Sequence, residues 1–196
     1  MTRPCLAALI PFALPSPALA QQRVIDTGTL IISRAGAVIG REEFVVRVGR
    51  ASTGREGFTI SANAFYPSER TQASVVPVVE LGPDSQPASL QIDAGQQRVF
   101  AQIGARRVTV RMVSPQGESV REYPGGERLL VADDSSFALQ AIPPGRTAGT
   151  VSLVWPRAGR RESGSLEDRG TERTELGAGA AALRHSRLRK RSIHEP

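Results

Sequence analysis

Apolar and polar positions alternate with a period of two along most of the chain, and Gly and Pro repeatedly break the alternation. That pattern predicts short strands joined by tight turns. Thr29 to Arg34 and Arg41 to Val48 flank Ala35-Gly36-Ala37-Val38-Ile39-Gly40, which reads as a hairpin with glycines where the chain must turn. In its second strand Phe44, Val46 and Val48 share one face, and Glu43, Val45 and Arg47 share the other. Gly57 to Phe65 and Thr71 to Leu81 form a second pair around Tyr66-Pro67-Ser68-Glu69-Arg70, with Phe58, Ile60, Ala62 and Ala64 on one face. Pro77 has no N–H to donate, so its strand is expected at a sheet edge or bulged at that point.

Gly82 to Pro87 is a strong turn signal. Ala88 to Asp93, Arg98 to Ile103, Arg107 to Val113 and Glu118 to Tyr123 follow as short strands, and Pro124-Gly125-Gly126 opens onto Leu129-Leu130-Val131. Asp133-Asp134-Ser135-Ser136 before Phe137 to Ala141 is the one helix start, because its side-chain oxygens can cap free backbone N–H groups. Pro143-Pro144-Gly145 stops that helix early. Val151 to Trp155 is a strand, Glu167 to Glu175 a charged exposed one, and Ala180 to Leu188 the last. No repeat of fixed period points to a propeller or solenoid.

The pattern predicts a mainly β fold: a single strongly curved antiparallel sheet, half-barrel or barrel-like, with one short helix. One helix and some loops are little cover for the apolar face of such a sheet. An uncovered apolar concavity would accept an acyl chain or another hydrophobic molecule, and Phe44, Phe58, Phe100, Phe137 and Trp155 are the residues expected to line it. A sheet closed on a core filled by its own side chains is the equal alternative.

The first residues set the compartment. Met1-Thr2-Arg3 is a short positive start, Cys5 to Leu14 an apolar run, and Ala18-Leu19-Ala20 carries small residues at both positions a signal peptidase reads. The run is far shorter than the about 18–20 residues needed to span a bilayer. Residues 1–20 are therefore expected to be a cleaved export signal, with a β domain over 21–188, a disordered basic tail over 189–196, and a periplasmic or secreted location. Cys5, the single cysteine, lies inside the signal. Its upstream residues do not suit a lipid-anchor site, and the processed chain is left without disulfides or thiolate ligands.

The net charge of +6 comes largely from Arg184, Arg187, Arg189, Lys190 and Arg191. A nucleic-acid surface interleaves basic residues with aromatics, whereas aromatics are only 5% of this chain and the basic tail holds none. The charge thus reads as a solvated surface, with membrane-surface contact by the tail as the partner it would allow.

Candidate chemistry is sparse. Asp26-Thr27-Gly28 after Val24-Ile25 matches the short motif of aspartic proteases, in which two loops bring two carboxylates together to share a proton. One motif per chain would require a dimer, and the apolar-Gly segment Val38-Ile39-Gly40 comes too early; a turn at the start of the first strand is the plainer reading. His185 and His194 are the only histidines, too few for the three or four converging ligands of a metal site. No Gly-x-Ser-x-Gly elbow, phosphate loop or dinucleotide fingerprint occurs. The expectation is a protein without catalysis, metal or cofactor.

Several short motifs carry a resemblance. An export signal, Gly28-x-Leu30, Gly40-x-Glu42-x-Phe44, consecutive hairpins, Pro87-x-Ser89-Leu90, Arg121-Glu122 and Leu129-Leu130-Val131-x-Asp133 are similar to uncharacterised periplasmic proteins. Those resemble the lipoprotein-carrier half-barrel, in which a curved sheet wraps a hydrophobic cavity. The resemblance covers about Arg23 to Leu188 and implies a lipid or acyl-chain ligand. The chain departs from it by ending in Arg187-Leu188-Arg189-Lys190-Arg191-Ser192-Ile193-His194, which implies a C-terminus truncated or altered relative to such proteins.

Overall fold

The computed structural model describes residues 22–191 apart from 51–53, 55, 127, 141–147, 177 and 178, with backbone alone at 140 and from 172 onward. Eight strands, β1 (Arg23–Arg34), β2 (Ala37–Arg50), β3 (Glu56–Phe65), β4 (Val76–Leu81), β5 (Pro87–Ala94), β6 (Gln97–Ile103), β7 (Arg107–Ser114) and β8 (Gly117–Pro124), form one antiparallel meander in chain order. The hairpin from β1 to β2 turns in two residues, Ala35 and Gly36, both at positive φ (50° and 82°). This left-handed pair matches the twist of the strands it joins, and Gly36 adopts it without a Cβ penalty.

A second, four-stranded sheet has the order β12 (Gly179–Arg191), β11 (Arg160–Leu176), β10 (Gly149–Trp155), β9 (Leu129–Val131). β9 and β10 run parallel, with Leu130 beside Leu153 and Val131 beside Val154. The segment 132–148 between them is long enough for the crossover that a parallel pair needs.

The two sheets share one core. Ile60, Ala62 and Ala64 of β3, Val79 of β4, Leu90 and Ile92 of β5, Val99 of β6 and Val108 and Val110 of β7 are buried against Leu129, Val131 and Val154 of the second sheet. Ala138 and Leu139, in a single 3-10 turn over Ala138–Gln140, complete it. The opposite face of β9 and β10 buries a smaller cluster of Leu130, Val151, Leu153 and Trp155 with Leu166 of β11.

The chain is mainly β, as its alternation predicts, but neither sheet is closed or strongly curled. The single curved sheet and the half-barrel are therefore corrected. The shortage of cover drawn from them goes too: the cover is a second sheet, because β9 and β10 pair with each other and not with the meander. The expected helix after Asp133 shrinks to the 3-10 turn. Pro77 is neither at an edge nor bulged: it lies buried in the interior strand β4, opposite Ile92. Its missing N–H is accommodated by a gap in the ladder, which bonds Ser61 with Val78, resumes at Ala64 with Val75 and skips the positions between. β12 runs to Arg191, so the first residues of the expected disordered tail are paired, Lys190 with Gly164 and Arg189 with Ser165. The expected signal segment, residues 1–20, and residues 192–196 lie outside the described residues.

Candidate functional site

The most unusual side chain is Glu42. It sits on the inward face of β2, two residues before Phe44, between Leu30 of β1 and Ala64 of β3, and it is completely buried. A buried carboxylate needs hydrogen-bond donors to replace water. They come from the segment leading into the 3-10 turn: Ser136 Oγ donates to Oε1 at 2.6 Å, and the backbone N–H groups of Phe137 and Ala138 donate to Oε2 at 2.7 and 3.1 Å. The first N–H groups of a helical turn have no partner of their own. A side chain of the opposite sheet thus supplies the cap expected from Asp133 to Ser136.

Asp133, three residues before Ser136, is also buried. Its carboxylate takes a two-pronged bond from Arg157, Nε at 2.9 Å and Nη2 at 2.8 Å, and also accepts from the Ser135 N–H at 2.8 Å. Arg157 additionally donates to Ser135 Oγ at 2.9 Å. A paired, forked geometry of this kind is how a buried carboxylate is best compensated.

Tyr66 closes the group. Its ring stands against Gly40, where any β-carbon would collide with it, and its hydroxyl is buried without a hydrogen-bond partner among the described residues. Burial raises its pKa above the usual value near 10, and the negative charges of Glu42 and Asp133 push it the same way. A raised folded-state pKa gives stability that is complete below the unfolded value and lost as pH climbs through the folded one. Urea unfolding should therefore show stability falling above about pH 10, and Tyr66→Phe should flatten that alkaline decline while leaving the neutral range little changed.

Ser136 against Glu42 has the form of a nucleophile touching a base. Both side chains are sealed from solvent, however, and the adjacent N–H groups are committed to Glu42 and unavailable to an oxyanion. What the arrangement does is lock the two sheets together.

The five aromatics expected to line one cavity are dispersed. Phe44 and Phe58 are half-buried at the margin of the shared core. Phe100 lies on the outer face of β6 beside Gln91 and Arg111, because its neighbours Val99 and Ala101 take the inner face. Phe137 is 41% exposed, and Trp155 belongs to the smaller cluster, with the Arg160 guanidinium 4.9 Å from its ring centroid. Asp26 is exposed on the edge strand β1, where Oδ1 accepts the Thr27 N–H at 2.8 Å. His185 is on β12, where only backbone is described, and His194 lies outside the described residues. Among the described residues no group of three His, Cys, Asp or Glu could hold a metal, and no helix is long and apolar enough to cross a membrane.

Among the described residues a concavity that the sequence did not locate lies at one end of the sandwich. A cleft of about 650 Å³ opens where Gly82–Gln86, Gly104–Ala105 and Gly126 meet, with Leu81, Pro87, Ala88, Ile103 and Leu129 in its wall. It shares Ala88, Ile103 and Gly104 with a shallower depression edged by Arg106 and Arg107. No protein-family model, no curated protein and no solved structure matches the chain.

Proposed function

We propose that the chain is an exported, non-catalytic β module that acts by strand-edge contact with a protein partner in the cell envelope. The observation that carries this reading is where the apolar surface lies. Val24, Ile25, Leu30, Ile31, Val38 and Ile39 are exposed on the β1–β2 hairpin, and among the other described residues only Val120 and Phe137 are large, apolar and exposed. Clustered apolar side chains along an unpaired edge are what a strand-adding partner requires. The close burial of Ile92, Val99, Val108 and Val154 between the sheets also favours contact at the surface over a ligand carried within. Export rests on the signal-like features of residues 1–20.

A photo-crosslinking residue at Ile31 in cells producing the chain tests the reading. Ile31 should give discrete protein adducts, and the same residue at Val120, of similar exposure on the opposite edge, should give few. No adduct at Ile31 would sink it.

The end cleft favours a second reading, binding of a small amphiphile with its apolar part against Leu81 and Ile103 and an acidic head toward Arg106. A lipid-mass adduct in native mass spectra of the purified chain, lost in Ile103→Glu, would place it ahead.

A further inference from the structure

We infer that the partner at this edge is a second copy of the chain, joined β1 to β1 in antiparallel register about a dyad through Leu30. The inference deepens the strand-edge reading and rests on it.

Among the described residues the two sheets have four edges, and three are guarded. β8 carries Glu118, Arg121 and Glu122 and ends at Pro124; β9 is only three residues long; β12 bears Arg184, Arg187, Arg189, Lys190 and Arg191, which would repel a copy of itself. Charge, shortness and proline are the usual defences of an edge. β1 has none of them between Asp26 and Arg34: Thr27 to Ser33 is an uncharged run, and Ile31 within it is 61% exposed.

The charges at the two ends of that run select the register. A dyad through Leu30 sets Asp26 opposite Arg34 of the second copy, and Arg34 opposite Asp26, with Thr27 facing Ser33, Gly28 facing Ile32 and Thr29 facing Ile31. Neither Asp26 nor Arg34 forms an ion pair among the described residues of its own chain. Moving the dyad one residue either way opposes each charge with an uncharged residue. A dyad through a residue also pairs even positions with even and odd with odd, so the backbone groups that point away from β2 meet their like. Of the two irregularities in the β1–β2 ladder, Ile25 is the extra residue of one and precedes Asp26, while Ile39 of the other is on β2. β1 itself therefore runs unbroken from Asp26 to Arg34. In this register the two Asp26 carboxylates are eight residues apart along the strand, about 27 Å, so the pairing does not assemble an aspartic-protease dyad.

Sedimentation equilibrium of the full chain should show a dimer. Asp26→Arg and Arg34→Asp alone should each weaken it by roughly tenfold or more, because each sets like charges opposite one another twice per dimer. The double exchange should restore it to within about threefold of the starting affinity. Both positions are exposed, so folding is not at risk. In a Cys5→Ser chain, Leu30→Cys should oxidise to a disulfide dimer, whereas Ser33→Cys, with its two copies about 20 Å apart, should not. A monomer at every concentration, or a double exchange no tighter than the single ones, overturns the self-pairing. Adducts at Ile31 to a different protein with no self-adduct would overturn it while leaving the strand-edge reading standing; no adducts at all would remove both.

Discussion

Glu42→Ala should cost about 3–5 kcal/mol of folding stability, the largest loss of any single substitution in the interlock between the sheets. The variant removes the acceptor of three donors at once. Ser136 Oγ and the Ala138 N–H are buried and have no water to turn to, whereas the Phe137 N–H, beside an exposed side chain, recovers part of its loss. Each stranded buried donor costs about 1–3 kcal/mol, and the vacated side-chain volume adds to that. Glu42→Gln keeps the shape, its carbonyl can still take the two N–H groups and its NH₂ can donate to the Ser136 hydroxyl, so only the charge assistance is lost and the cost should be smaller, about 1–2 kcal/mol. Urea unfolding midpoints at neutral pH, with unchanged slopes, would show this order of Ala below Gln below the natural chain. If Glu42→Ala proved as stable as the natural chain, the three hydrogen bonds would not be what joins the layers, and the packing of Leu129, Val131 and Val154 would have to hold them alone.

That interlock marks where sequence reasoning stopped. Hairpins are local: alternation and turn residues lie within a few positions of each other, and β2, β3 and β5 to β8 fall within a residue or a few of their expected limits. Glu42 meets Ser136 across 94 residues, a pairing no window of alternation can reveal. Half of the signal was nevertheless present. Glu42 occupies the same alternating face as Phe44, Val46 and Val48, and an acidic residue on an apolar face has to find donors somewhere. Asp133 to Ser136 read as the capped start of a helix; they lead into a single 3-10 turn, and the acceptor of the N–H groups of Phe137 and Ala138 comes from the other sheet.

The dispersal of the five aromatics has a related cause. Leu129-Leu130-Val131 is apolar at every position, and a continuous short run is the signature of a strand buried on both faces. Expecting a single sheet, with no second one for this run to join, left the apolar face uncovered. As the edge of a second sheet it supplies the cover, with Leu129 and Val131 facing the large core and Leu130 the small one. The aromatic residues then follow their strand parity and not a shared ligand. Phe100 points outward because Val99 and Ala101 are inward, and this alternation was legible from the start.

Ile92→Ala should lower stability by about 2–5 kcal/mol and Ile92→Val by about 0.5–1.5, the second large effect expected. Ile92 is completely buried at the middle of β5, between Pro77 of β4 and Val99 of β6, under the residues of the second sheet. Among such closely buried residues the neighbours relax only partly around a shortened side chain, so the variant loses both the transfer energy of the removed atoms and the contacts around the new void. A strand lining an open receptacle behaves differently: its side chains already face space or ligand, and truncation creates no new cavity. The same variant separates these cases by a second readout, since an apolar void of this size stays dry and takes up small apolar molecules. A small apolar probe should bind between the sheets only in Ile92→Ala and not in the natural chain. A loss below about 1 kcal/mol, together with probe binding between the sheets of the natural chain, would mean that the interior is a receptacle after all. The strand-edge reading would then lose its main support, and a carried hydrophobic ligand would regain the lead.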